Sequence, residues 1–197
     1  AMDTMMDITV YGKNAEQAAK DCEQELYRLE ALLSCRAPEA ELAQVNAGQA
    51  EPSEETAALV RRALELSRKT DGAYDPALGA LMEVWGFSTG EYRVPNRTER
   101  EAALRRSGAE LIELTEDSFT LRGGVQLDLG GIGKGYAAAR LRALLAQEGI
   151  ESAILSLGGN VCAVGAKPDG SDWQIGLQNP ENTAEIFGTV AVRDAGV

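Results

Sequence analysis

Helical and alternating periodicities occupy different stretches of this sequence, and they do not take turns. Between Glu16 and Arg106 apolar residues recur at the spacing of one helix face, as in Ala19, Cys22, Leu26, Leu29, Leu32 and Leu33. From Leu111 onward short β-prone runs dominate, at 111–114, 119–121, 125–129, 153–157, 161–164, 173–178 and 189–192. Tyr136–Gln147, closed by Gly149, is the helical run among them. A doubly wound parallel sheet needs strand and helix in regular alternation. The block order predicts instead an α+β fold, a mixed or antiparallel sheet with packed helices. Met6–Tyr11 alternates and ends at Gly12, so 6–12, 152–166 and 172–193 are expected to share one sheet.

Local signals place the remaining elements. Ser34–Asn46 reads as a loop around Pro38 followed by a short helix. Ser53 opens a helix over Glu54–Lys69, which Asp71-Gly72 breaks. Pro76 opens a short helix toward Trp85, and Thr98–Arg106 forms a surface helix. Glu116-Asp117 and Gly158-Gly159-Asn160 read as hairpin turns, and Gly130–Gly135 as a glycine-rich turn.

At 197 residues and 44% hydrophobic content, the chain can fill one core. With 31 acidic against 19 basic residues its formal charge is −12, which repels nucleic acid and anionic membrane surfaces. A phosphate site must therefore be built locally, from N–H groups, a few cations or a metal. The sequence has no histidine, which excludes Ser-His-Asp and Cys-His catalysis within it. Cys22, Cys35 and Cys162 form no CxxC pair, against a zinc site. No apolar run has the length of a membrane span. Ala1 ahead of Met2, with strand-like residues following at once, reads as a start that is not the native one.

Three segments carry chemistry. Asp128-Leu-Gly-Gly-Ile-Gly-Lys-Gly-Tyr136 puts four glycines in six positions ahead of a helix. Backbone can approach a ligand there, the helix start offers N–H groups, and Lys134 adds a charge. It is neither a Walker A loop, with Asp128 and Gly135 where Gly and Ser or Thr are needed, nor a Rossmann fingerprint, with Tyr136 at the last glycine. A tight turn with a solvated lysine reads equally well. Thr70-Asp-Gly-Ala-Tyr-Asp-Pro76, followed by Leu81–Phe87, holds a ring and a carboxylate in a fixed loop. Tyr74 and Trp85 could stack on a flat ligand, or be core aromatics beside a helix cap. Leu157-Gly-Gly-Asn160 could line a cavity or be an ordinary hairpin turn.

In this order the segments resemble the FAD:protein FMN transferase (ApbE-type) family. Met2-Asp3-Thr4 is similar to its Met-Gly-Thr-like opening, and Ser34–Asn46 to its Ser…Tyr…Pro…Ser-Glu…Asn stretch. Thr70–Pro76 resembles Thr-x-Gly-Ala-Phe-Asp-Pro, with Trp85-Gly-Phe87 after it. Asp128–Tyr136 resembles Asp-Leu-Gly-x-Ile-x-Lys-Gly-Tyr, and Gly158-Gly159-Asn160 completes the set. The resemblance spans nearly the whole chain, read as a single flavin transferase domain over 1–197. It implies that Met2, Arg36, Ala73, Tyr74, Asp75, Asp128 and Lys134 contact FAD and that the Gly131 carbonyl binds Mg²⁺. It also implies transfer of FMN from FAD to a threonine of an acceptor protein, with AMP released. No residue of this sequence is assigned as catalytic.

Arg36 stands where the family has tyrosine, Ala40 where it has serine, and Ala139 where it has aspartate. The family continues into Thr-Ser-Gly, His-Ile and metal-binding Asp and Thr segments beyond Val197. The sequence is therefore expected to be a C-terminally truncated transferase, inactive alone, whose Phe187–Val197 strand lacks a neighbour or borrows one in an edge-paired or swapped dimer. An FAD-binding module without transfer, and a non-catalytic interaction domain, are the alternatives. Family members are often lipoproteins outside the bacterial cytoplasmic membrane, the location the resemblance implies here.

Overall fold

The computed structural model describes residues 1–2, 4–87, 89–115 and 118–197. In chain order the elements are β1 (Met6–Tyr11), α1 (Ala15–Leu33), α2 (Glu41–Asn46), α3 (Glu54–Lys69), α4 (Gly79–Val84) and α5 (Arg97–Leu104). There follow β2 (Ile112–Leu114), β3 (Phe119–Leu121), α6 (Gly130–Gln147), β4 (Ser152–Leu157), β5 (Asn160–Val164), β6 (Trp173–Gln178) and β7 (Ile186–Val192). Every pairing between these strands is antiparallel, and the α+β expectation holds. The chain divides into two compact units, Ala1–Arg28 with Lys134–Val197, and Leu29–Gly133. Among the described residues no helix is long and apolar enough to cross a membrane.

The first unit contains a sheet in the order β1-β4-β5. Its register sets Met6, Ile8 and Val10 opposite Leu157, Leu155 and Ala153, so one face is wholly apolar there. Leu155 and Leu157 are fully buried, each worth about 2–3 kcal/mol. The turn from β4 to β5 needs positive φ at Gly158 (61°) and Gly159 (96°), the geometry of a two-residue hairpin loop. A Cβ on Gly158 would also lie 2.6 Å from Thr4 Cβ, so residues 4 and 158 pack without room for a side chain.

Residues 172–193 do not join that sheet. β6 and β7 form their own two-stranded ribbon with an irregularity at Leu177/Gln178. Trp173 and Val192 anchor its base against Ala163, with Ile154, Ile175 and Ala195 around them. The expectation of one shared sheet is therefore corrected: the ribbon packs by side chains, and the chain after it supplies the ladder. Val161 and Val197 exchange both backbone bonds at 2.8 Å, and Ala163 N–H donates to Ala195 at 2.9 Å. Within Phe187–Val197, β7 pairs with the preceding β6 and 195–197 with β5, while no strand of the described residues pairs with the other edge of β7.

In the second unit, α3 is capped by Ser53 Oγ, which accepts from Thr56 N–H at 3.3 Å. α5 starts with a full capping box between Asn96 and Glu99. α2 starts at Ala40 with no side-chain cap, so the departure from serine removes a hydrogen bond there. The β2–β3 hairpin is present, while its turn, Glu116-Asp117, lies outside the described residues.

Two expectations fail at 125–135. Val125–Leu129 is extended but belongs to no strand. Its backbone is satisfied otherwise: Asn46 Oδ1 accepts from Leu127 N–H at 2.7 Å, and Asn46 Nδ2 donates to Leu127 O at 2.9 Å. Gly79 N–H donates to Gln126 O at 3.0 Å, and Asp128 N–H to Pro76 O at 2.8 Å. Side chain and loop thus replace a partner strand. The glycine-rich segment is no turn either, since α6 begins at Gly130. None of Gly130, Gly131, Gly133 and Gly135 has positive φ, so they are not there for backbone freedom.

Candidate functional site

Thr70 organises the first half of the site, at the end of α3. Its hydroxyl donates to Leu66 O at 2.9 Å and accepts from Tyr74 N–H at 3.1 Å. Asp71 (φ 49°) and Gly72 (φ 79°) reverse the chain, leaving Ala73 exposed at its tip. Asp75 is held on both carboxylate oxygens, by Ala77 N–H at 2.8 Å and Ala109 N–H at 3.2 Å. Its first role here is to tie the loop to the 3₁₀ turn Ala109–Leu111.

The second half is Leu127–Gly133. Asp128 Oδ1 accepts from Gly130 N–H at 2.8 Å, and Leu129 O accepts from Ile132 and Gly133 N–H. The two halves meet at Gly131, where a Cβ would lie 2.8 Å from Tyr74 Cε2. The ring of Tyr74 therefore rests on the bare backbone at the start of α6. Its hydroxyl is buried with no partner among the described residues. Burial, with Asp128 and Asp75 nearby, pushes the phenol up to about 12, so it stays protonated at neutral pH.

This contact has a measurable sign. Alanine raises helix propensity over glycine by about 1 kcal/mol. At Gly135 an added Cβ would meet nothing within 4 Å, so Gly135→Ala should gain about that much. Gly131→Ala should instead lose about 1–2 kcal/mol, because the Tyr74 ring must shift. Urea melts of both variants check it, and equal gains would show that Gly131 is not a packing position.

Cys35 and Arg36 lie on the same strip. Cys35 Sγ donates to Leu127 O at 3.4 Å, and burial with Asp128 nearby pushes its thiol up to about 12. Arg36 is exposed, and its guanidinium donates to the Phe87 carbonyl. Trp85 belongs to a neighbouring loop. It lines a groove with Phe87, Tyr92, Arg93 and Val94, where the rings of Phe87 and Tyr92 meet edge-on at 5.3 Å.

Of the residues expected at the site, Arg36, Ala73, Tyr74, Asp75, Asp128 and Gly131 belong to the second unit. Met2 and Lys134 belong to the first. Met2 takes φ 52°, beside Asp3, which lies outside the described residues. Lys134 is half-buried in the second turn of α6, and Ala139 is exposed further along it. Sequence reasoning misses the part played by Asn46, Thr70 and Gly79, although they hold the site's backbone. Asn46 carries no local signal, because its partner Leu127 is 81 residues away.

Chemically, the helix start in the second unit favours an anion, while the Asp128 carboxylate that caps it opposes one unless a cation stands between them. Among the described residues no three or more Cys, Asp or Glu side chains gather to hold a metal.

The comparisons with known proteins agree on the family. The ApbE family model matches residues 2–197. The chain is 30% identical to the FAD:protein FMN transferase of Treponema pallidum, covering 98% of this chain and 60% of that one. It is 30% identical to the Salmonella typhimurium FAD:protein FMN transferase, over 91% of this chain and 55% of that one. The crystal structure of the ApbE protein from Thermotoga maritima superposes with a TM-score of 0.90 at 28% identity, covering 100% of this chain and 66% of that one. The apo Pseudomonas stutzeri flavinyl transferase ApbE gives 0.84 at 27% identity, over 100% and 64%. The chain thus spans about 55–66% of the length of these four relatives. By the family match over almost every residue, and by the same fold in solved relatives, the chain belongs to the ApbE family.

Proposed function

We propose that this chain is the FAD-binding part of an FAD:protein FMN transferase. The observation that carries the reading is the Gly131–Tyr74 contact beside Asp128, in a chain 30% identical to proteins of that activity. FAD is the substrate, and Met2, Arg36, Ala73, Tyr74, Asp75, Asp128 and Lys134 are its proposed contacts. In the reaction a threonine hydroxyl of an acceptor protein bonds to the FMN-side phosphorus and the diphosphate bridge breaks, releasing AMP. Mg²⁺, with the Gly131 carbonyl as one ligand, would neutralise charge on the diphosphate. The protein's own part is to bind and orient: the Gly131 N–H and the α6 start favour the anion, and Lys134 adds a full charge. Placement outside the bacterial cytoplasmic membrane as a lipoprotein is part of the same proposal.

A second reading, FAD binding without transfer, draws on Arg36, whose guanidinium is tied to the Phe87 carbonyl in place of a free ring. Two measurements test the FAD binding that both readings require. FAD should raise the melting temperature, and Lys134→Ala should weaken FAD binding about 10-fold or more, as for loss of a charge-assisted bond. Lys167→Ala should change it less than about two-fold, since Lys167 sits in an exposed-edge turn closed by Gly170 N–H to its carbonyl. Equal affinities of the two variants remove Lys134 from the diphosphate site. AMP release with Mg²⁺ and a threonine-bearing acceptor, from a form extended through the family's Asp and Thr segments, then distinguishes transfer from binding, and residues 1–197 alone should release none.

A further inference from the structure

The β1-β4-β5 sheet is covered on one edge and bare on the other. Residues 195–197 bond to β5, whereas no strand of the described residues pairs with the far edge of β1. Burial on the sheet's apolar face follows the same division. Leu155 and Leu157, one strand in, are fully buried, while Ile8 and Met6 opposite them are half-buried. An open groove runs beside them, with Met6 and Ile8 on the strand side and Ala19, Lys20, Glu23 and Tyr27 of α1 on the other. β1 carries none of the devices that blunt an edge: it has no Lys, no Pro and no bulge in six consecutive pairs with β4.

A second β1 fits this edge. We propose that two copies of the chain pair through it, antiparallel, about a two-fold axis at Ile8. Residues 5–11 then face one another in full. Met6 lies opposite the partner's Val10, Ile8 opposite the partner's Ile8, and Met5 opposite the partner's Tyr11. Met5 and Tyr11, 85% and 42% exposed, thereby cover each other in a sulfur–aromatic contact. Asp7 meets the partner's Thr9, so no like charges are opposed. An axis one residue earlier would set Asp7 against its own copy.

The charges on α1 point to the same axis. The turn at 12–14 sends the chain back, so α1 runs against β1. Ile8 lies about 10 Å back along the strand from Tyr11, a distance that α1 covers in about six to seven residues from Ala15. The axis therefore passes level with Asp21 and Cys22. About that level Lys20 faces the partner's Glu23, twice by symmetry, and Glu16 faces the partner's Tyr27. Within its own helix Lys20 bonds Glu16 at 2.6 Å, while Glu23 has no ion pair among the described residues. Strand register and helix charge thus agree on one axis, a self-complementarity that only a second copy uses.

Sedimentation of the whole chain over a concentration series tests this. The expected result is a monomer–dimer equilibrium in which the β1 amides gain protection from hydrogen exchange as the dimer forms. Lys20→Glu sets two glutamates against each other at two places and should weaken the dimer about 10-fold, and Glu23→Lys should do the same. The double variant, with the charges exchanged, should restore wild-type dimerisation. Lys20 and Glu23 are exposed, so all three variants should keep the fold, which far-UV circular dichroism checks. A chain that stays monomeric throughout the series overturns the proposal. So does a dimer that ignores both single variants, or one whose newly protected amides lie in β7, another bare edge, instead of β1. Protection of the β1 edge in the monomer would also overturn it, since another segment of the chain would then cover that edge.

Discussion

Asn46→Ala should lower stability by about 3 kcal/mol and weaken FAD binding with it. The side chain closes two bonds onto Leu127, a fully buried residue, and so acts as a one-residue stand-in for a strand partner. Removing it leaves a buried N–H unpaired and a carbonyl with only the long Cys35 thiol contact. Each orphaned buried group costs about 1–3 kcal/mol. The neighbouring residue, Asp128, holds the start of α6, so slack at Leu127 is passed directly to that helix start. Denaturant midpoints and FAD titration read the two effects. Asn46→Asp provides the control: it keeps the acceptor for Leu127 N–H but loses the donor, and should fall between. A wild-type midpoint for Asn46→Ala would mean that another group satisfies Leu127.

Gly86→Ala is the other substitution with a large expected cost, at least about 3 kcal/mol. Two penalties combine there. At φ 80° an L side chain is strained by about 1–2 kcal/mol, and the new Cβ would overlap the Glu91 carbonyl, which is backbone and cannot swing aside. The loop must open, so the Arg93-to-Trp85 bond should break and the aromatic groove lose its shape. Thermal melting measures the cost. Gly90→Ala is the comparison, since Gly90 also has positive φ (77°) but nothing within 4 Å of a Cβ. Its cost should stay near about 1 kcal/mol. Similar losses at both positions would show that the crossing at Glu91 is not tight.

These two sites mark where sequence stops being legible. Strands β1, β4 and β5 and helices α1 and α3 lie where periodicity and caps put them, because burial on one face writes a local pattern. The β6–β7 ribbon is visible in the sequence as two strands, but its separation from the sheet depends on the Trp173 and Val192 anchors, which no alternation encodes. At 125–129 a β-prone run meets no strand, because Asn46 and the Pro76–Gly79 loop take the backbone bonds from afar. At 130–135 glycine density suggests a turn, yet the residues are helical and their smallness serves Tyr74 at Gly131. Resemblance finds the motif residues of the site, whereas the role of Asn46 needs coordinates, because its partner Leu127 is 81 residues away.

Cys22 and Cys162 are buried and Cys35 is half-buried. Burial raises Cys22 to about 11 and Cys35 to about 12, and it raises Cys162 as well. The nucleophilic thiolate form is therefore scarce at neutral pH. An alkylating dye should pass over the native sulfurs, leaving one cysteine introduced at an exposed position, such as Thr189, as the sole point of attachment. Labelling studies of flavin exchange can then start from the unmodified sequence, without first stripping out Cys22, Cys35 and Cys162.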